Sequence, residues 1–279
     1  MVKHLHNELK LNRERYFKSK LHENSKWDAW LAGLIDGAGS FTLNKAGYAN
    51  LEIVMELREV DCLAEIKQRF GGTIKTRAGL KAVRYRAHSL VGIRQIIACV
   101  NGHIRIPRRQ IQLEKICKHY NINYKYPTKL TSENGWISGF FDATGTIQLK
   151  GLILRENRYI DYQLILIFKE KVNTMLNEIQ ECFGGNLNID QSSGGSFTLS
   201  YKSQQQLLDF YDYFKKYPAR SSKKHNILLI PQLYDIQNEL KYIKNVELKQ
   251  KICNQFISKW YYNDKEFYEN EISDGQESK

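Results

Sequence analysis

No stretch of the 279 residues approaches the roughly 18 uncharged apolar residues that a membrane-spanning helix needs, which excludes a helical membrane protein. Proline is scarce, at four residues, and 42% hydrophobic with 26% charged residues is the composition of a folded chain, not a disordered one. Cysteine is limited to Cys62, Cys99, Cys117, Cys182 and Cys253, an odd set with no C-x-x-C pair and no Cys/His spacing suited to zinc. Reduced core thiols are expected. The first twenty residues lack the apolar run of a secretory signal, and Glu8 and Glu14 weaken a transit-peptide reading. Residues 1–26 are expected to form a basic arm.

Acidic residues are outnumbered: 30 Asp+Glu against 42 Lys+Arg give +12. The segment 263–279 holds six acids against two lysines, so this tail is −4 and the remaining body +16. Such an excess on a folded body points to a polyanionic partner, because each neutralised phosphate releases counterions. A solvated basic surface is the plain alternative. The body is rich in Lys, Asn, Ile and Tyr, whose codons are A+T-rich, as in an organelle genome.

What the chain does contain is an internal duplication. Trp30-Leu-Ala-Gly-Leu-Ile-Asp-Gly-Ala-Gly-Ser-Phe41 is answered by Trp136-Ile-Ser-Gly-Phe-Phe-Asp-Ala-Thr-Gly-Thr-Ile147, and Phe70-Gly71-Gly72 by Phe183-Gly184-Gly185 in the same order. Each copy reads alike. A helix capped at Asn24/Ser25 or Ser132 ends at Gly39 or Gly145. Residues 49–58 alternate with a period of two, as in a strand with one buried side. Helices over about 59–69 and 171–182 stop at the Gly-Gly pairs. Strands follow at 73–77 and 82–87, matched by 186–190 and 196–201, then helices at about 90–100 and 204–217. The reading is an α+β fold, a tandem αββαββα repeat: first repeat 27–123, connector 124–131, second repeat 132–262, tail 263–279.

Leu31-Ala-Gly-Leu-Ile-Asp-Gly-Ala-Gly39 resembles the nine-residue signature of the LAGLIDADG homing endonucleases and their RNA maturase relatives, and Ile137 to Gly145 resembles the second copy of the single-chain branch. Asn101 to Arg109 and Phe214 to Lys224 resemble segments of the mitochondrial group I intron branch. The resemblance spans about residues 27–260 and implies two curved antiparallel sheets that form a saddle over a pseudo-twofold helix pair. Ala29, Ala32, Gly33, Ser138 and Gly139 are small enough for those two helices to approach closely. It also implies a monomer and a mitochondrial matrix location.

In the family each motif helix delivers an acid at its eighth position, and the two acids hold divalent metal ions that activate water for phosphodiester hydrolysis. Here the eighth positions are Ala38 and Thr144, poor ligands for a hard cation. Asp36 and Asp142 remain at the sixth position. Two residues along a helix is about 200° of rotation, so a structural role for them is favoured over a metal role. No cofactor is expected if cleavage is lost; Mg2+ is expected if an endonuclease survives.

The surface that would grip nucleic acid is intact. Arg84, Arg86 and His88 share one strand face; Thr198, Ser200 and Lys202 occupy the matching face; Thr146, Gln148 and Lys150 alternate with apolar neighbours. Thr42, Asn44, Lys45, Arg58, Lys75 and Arg77 complete the expected interface, with Arg105, Arg108, Arg109, Arg220, Lys223 and Lys224 as phosphate contacts beyond the third helices. Tyr85, Tyr211, Tyr213 and Trp260 read as core. The favoured function is a cleavage-inactive nucleic-acid-binding protein for structured RNA, as a group I intron maturase or ribonucleoprotein component. The alternatives are a magnesium-dependent DNA homing endonuclease and a non-catalytic DNA-binding or structural protein. No membrane partner is expected.

Overall fold

The computed structural model describes residues 25–77, 81–153, 160–190 and 195–262. The basic arm, up to residue 24, and the acidic tail lie outside these. In the first repeat, helix α1 (25–38) runs into strands β1 (Gly39–Leu43) and β2 (Ala49–Glu56), and a short 3-10 turn leads to α2 (Val60–Phe70). Strands β3 (Thr73–Thr76) and β4 (Ala82–Ala87) follow, then α3 (Leu90–Val100) and α4 (Pro107–His119). The second repeat retraces this with α5 (Trp136–Thr144), β5 (Gly145–Ile153), β6 (Ile160–Glu170), α6 (Thr174–Phe183), β7 (Asn186–Asp190), β8 (Ser196–Tyr201) and α7 (Gln204–Lys216). Helices α8 (Lys224–Leu228), α9 (Ile230–Leu240) and α10 (Val246–Trp260) complete the described chain.

The sheets are antiparallel with the same order, β1-β2-β4-β3 and β5-β6-β8-β7. Strand alternation explains their two faces. In β2, Ala49, Leu51, Ile53 and Met55 are buried while Asn50, Glu52, Val54 and Glu56 face away from the core. The helices cover the apolar faces, and one continuous core runs through both repeats from Trp27 to Trp260. Tyr85, Tyr213 and Trp260 lie in that core; Tyr211 is half-buried against it. Cys62, Cys117 and Cys253 are buried, and none of the five cysteines is in a disulfide.

Several local expectations are corrected. The Gly-Gly stops hold, with φ of 71° and 93° at Gly71 and Gly72 and of 67° and 99° at Gly184 and Gly185. Gly39 and Gly145 stop nothing by left-handed geometry, however; Gly145 is extended (φ −77°). There a Cβ would lie 2.1 Å from the Phe141 ring, so glycine is required by crowding as the chain turns from helix into strand. Ser132 does not cap the second motif helix; α5 starts at Trp136, whose N–H is accepted by Asn134 Oδ1 at 2.7 Å. Helices α4, α8, α9 and α10 are additions to the expected repeat. Pro107 in the first turn of α4, and the Asn245 side chain capping α10 through the Leu248 N–H, are the signals that mark two of them.

Candidate nucleic-acid interface

The floor of the molecule is the contact between α1 and α5. A Cβ at Gly33 would stand 2.0 Å from the Trp136 carbonyl oxygen, and one at Gly139 would stand 1.8 Å from that of Trp30. Backbone therefore touches backbone. At the strand end of the pair, a Cβ on Gly37 would meet Ala143 Cβ at 2.4 Å and Thr144 Cγ2 at 2.8 Å. The helices thus reach the floor side by side, and Thr144 lies against the residue preceding Ala38. Ala29, Ala32 and Ser138 are all buried in this region.

Asp36 and Asp142 form a reciprocal lock. Asp36 accepts hydrogen bonds from Trp136 Nε1 (2.8 Å) of the other repeat and from the backbone N–H groups of Arg105 (2.7 Å) and Ile106 (3.2 Å) of its own. Asp142 accepts from Trp30 Nε1 (2.8 Å), from the N–H groups of Arg220 (2.7 Å) and Ser221 (3.3 Å), and from Ser221 Oγ. Each carboxylate ties its own repeat's segment beyond the third helix to the tryptophan of the opposite motif helix. Burial pushes the Asp36 carboxyl up to about 7 against the pull of its N–H donors, and raises Asp142 likewise.

Ala38 offers no side-chain ligand atom, Thr144 Oγ1 donates to the Phe140 carbonyl (3.0 Å), and both motif aspartates are occupied by three or more donors. A cleft of about 870 Å³ beside Thr144 is also lined by Glu56 and Glu59. Glu59 is held by the Ser222 N–H (2.7 Å) and hydroxyl (2.6 Å), and Glu56 pairs with Arg58 at 2.8 Å. Among the described residues no group of three or more His, Cys, Asp or Glu is placed to hold a metal ion. The residues present do not fit a divalent cation.

Arg105 is not the outward phosphate contact that its position suggests in the sequence, and Arg220, half-buried at the edge of the cleft, is engaged across the repeats. Arg105 is 6% exposed, donates to the Thr128 carbonyl (2.7 Å) and lies 3.6 Å from Glu178 of the second repeat. Arg220 donates to both oxygens of Glu65 in the first repeat at 2.8 and 2.9 Å. Each guanidinium also sits near a motif tryptophan, Trp136 or Trp30, at 5.8 and 5.0 Å. These are cross-repeat clamps. Arg220→Met is expected to lower stability by about 1–3 kcal/mol, through the Glu65 and Trp30 contacts, with little change in nucleic-acid affinity; denaturant titration paired with a binding isotherm checks both. Lys223 is likewise turned inward, capping the Phe141 (3.1 Å) and Asp142 (2.8 Å) carbonyls, and burial lowers its pKa. Arg109 is half-buried beside Gln112 (3.4 Å); Arg108 and Lys224 are exposed.

The outer sheet faces carry the rest. Glu52 sits between Arg86 (2.6 Å) and Arg84 (3.7 Å), with Thr73 and Lys75 beside them on β3. Thr42, Lys45, Arg77 and His88 are exposed, as are Thr146, Gln148, Lys150 and Lys202; Thr198 is half-buried. Three expected contacts also have local partners. Asn44 shapes the β1–β2 turn by accepting from the Tyr48 N–H (2.9 Å), Ser200 is buried with its hydroxyl toward the Asn186 carbonyl (3.5 Å), and Arg58 pairs with Glu56 and Glu59. Sequence reasoning misses the partners Glu52, Glu59, Glu65 and Glu178. For Glu65 and Glu178 a signal exists, since each stands five residues before its repeat's Phe-Gly-Gly.

Two αββαββα repeats, joined through their first helices with polar sheet faces outward, define the saddle class of two-motif proteins. The LAGLIDADG endonuclease family model matches residues 31–120 and 137–234, and the chain belongs to that family. It is 53% identical over 251 residues to the intron-encoded DNA endonuclease ai2a of Dictyostelium discoideum, covering 88% of this chain and 78% of that protein. It is 38% identical over 221 residues to the intron-encoded RNA maturase bI4 of Saccharomyces cerevisiae, covering 79% of this chain and 34% of that protein. Among solved structures, the I-LtrWI LAGLIDADG homing endonuclease bound to target DNA matches with a TM-score of 0.58 at 14% identity, covering 85% of this chain and 97% of that one. A double mutant of I-SmaMI matches with a TM-score of 0.62 at 16% identity, covering 84% and 97%. Both support the fold.

Proposed function

We propose that this protein is a cleavage-deficient member of its family that holds duplex DNA in the saddle. The observation that carries this reading is the motif floor, where Ala38 and Thr144 stand beside two aspartates already filled by N–H donors. Polar and basic sheet faces above it suit a B-form major groove, about 12 Å wide. The sequence alone favours structured RNA. An A-form major groove is too narrow for a sheet to enter, which turns the preference for this surface toward DNA. The 38% identity to an RNA maturase favours a second reading, intron RNA held mainly through backbone and shape contacts. Both repeats lie in one chain, so the working unit is a monomer, and its intron-encoded relatives support a mitochondrial setting.

The test is a cleavage assay with magnesium on a plasmid carrying the intronless exon junction of the host gene, run beside binding to that duplex and to the intron RNA at matched salt. Wild-type protein is expected to bind without cutting. Ala38→Asp combined with Thr144→Asp is expected to raise cleavage by orders of magnitude, because paired carboxylates create the ligand set that is missing. Wild-type cutting as fast as the doubly substituted protein would overturn the reading. RNA binding in place of duplex binding would favour the second one.

A further inference from the structure

The two outer sheet faces are built alike but carry different chemistry at equivalent places. Gly39 pairs with Ile53 and Ile53 with Tyr85 in the first sheet; Gly145 pairs with Phe168 and Phe168 with Leu199 in the second. One residue back along the middle strand, Glu52 opposite Arg86 therefore corresponds to Ile167 opposite Ser200, and Arg84 corresponds to Thr198. A carboxylate held between two guanidiniums in one repeat is replaced, position for position, by a branched alkyl group and two hydroxyl residues in the other.

Resting on the reading of the saddle as a duplex-DNA surface, we infer that these two clusters read different base pairs at mirror-related positions of the target: G·C under the first repeat and A·T under the second. The arginines present donors that match O6 and N7 of guanine, and Glu52 presents an acceptor for the N4 amino group of the paired cytosine. With the purine under the arginines, an A·T pair sets the adenine amino group against a guanidinium and thymine O4 against the carboxylate; the reversed T·A pair satisfies Glu52 but offers the arginines O4 alone in place of O6 and N7. At the second cluster Ile167 can make no hydrogen bond, so a cytosine amino group beside it would lose its partner water uncompensated. A thymine methyl group gains an apolar contact instead. Ile167 is half-buried opposite Thr146, and the Ser200 hydroxyl is turned toward the Asn186 carbonyl of the neighbouring strand (3.5 Å), which leaves the Ile167 side chain as the apolar surface of this cluster.

Selection from a randomised duplex library of about 30 base pairs, long enough to span both halves of the saddle, tests this. Wild-type protein is expected to enrich sites with G·C at one position and A·T at its mirror. Deoxyuridine in place of that thymine should weaken binding about threefold, one methyl contact, while deoxyuridine elsewhere in the first half-site should not. The graft Ile167→Glu with Ser200→Arg and Thr198→Arg is expected to shift the A·T position to G·C by about tenfold or more. Equal base preference at both positions, insensitivity to deoxyuridine, or an unchanged preference in a folded graft overturns the assignment while duplex binding stands. A wild-type protein that enriches no duplex at all refutes the duplex reading, and this assignment falls with it.

Discussion

Gly139→Ala is expected to cost about 3 kcal/mol or more of folding stability, the upper end of the penalty for overpacking a core. The added methyl carbon would stand 1.8 Å from the Trp30 carbonyl oxygen and 2.8 Å from the Leu34 nitrogen, both backbone atoms, so no side chain can swing aside to admit it. Relief requires α1 and α5 to separate, which would also lengthen the Trp30–Asp142 and Trp136–Asp36 hydrogen bonds. Alanine's better helix propensity returns only about 1 kcal/mol. Gly33→Ala meets the mirror-image obstacle, 2.0 Å from the Trp136 oxygen, and the double substitution is expected to cost less than the two single effects combined, because the helices move apart only once. Gly71→Ala is the control. Its Cβ meets nothing within 4 Å, so only the backbone opposes it, with φ 71° and ψ −153° in a region almost confined to glycine, and about 1–3 kcal/mol is expected. Urea titrations followed by tryptophan fluorescence compare the four variants with the wild type; a Gly139→Ala midpoint at the wild-type value would show that the helix pair tolerates separation.

The repeat is legible because its two strongest signals are local. Motif residues recur at one offset, and each Gly-Gly pair needs a backbone that other residues resist, as the positive φ at Gly71, Gly72, Gly184 and Gly185 bears out. Strand faces are legible for the same reason: alternation along 82–87 and 196–201 separates outward Arg84 and Arg86 from buried Tyr85, and outward Thr198 from buried Leu199. What escapes is pairing across the pseudo-twofold axis. Arg105 and Arg220 look like exposed cations in a basic stretch until Glu178 and Glu65 are brought from the opposite repeat, 73 and 155 residues away. Charge in a sequence is additive, whereas availability depends on which carboxylates the fold delivers. Helices α4 and α8 to α10 escape because they follow the repeated unit and have no counterpart in the internal duplication to flag them, although α10 does carry a helical stripe in Cys253, Phe256 and Trp260.

Asp142→Ala is expected to destabilise by about 3–5 kcal/mol, the range seen when one partner is removed from a buried polar cluster. It strands the Trp30 indole N–H, the Arg220 and Ser221 backbone N–H groups and the Ser221 hydroxyl, all in a region where water cannot replace the lost acceptor. Asp36→Ala strands three donors and is expected to cost somewhat less. The isosteric Asp36→Asn isolates charge from shape. With a folded-state value of about 7 against an ordinary 3.8, raised by burial, the folded chain holds a proton at this carboxyl between those limits that the unfolded chain has released. The contribution of Asp36 therefore weakens as pH rises from about 4 to 7 and is level above that window. Denaturation midpoints measured from about pH 4 to 8 should decline more gently across that window in Asp36→Asn than in the wild type. Parallel profiles would mean that Asp36 stays ionised throughout, its three N–H donors outweighing burial, and that the lock is ionic at every pH at which the protein folds.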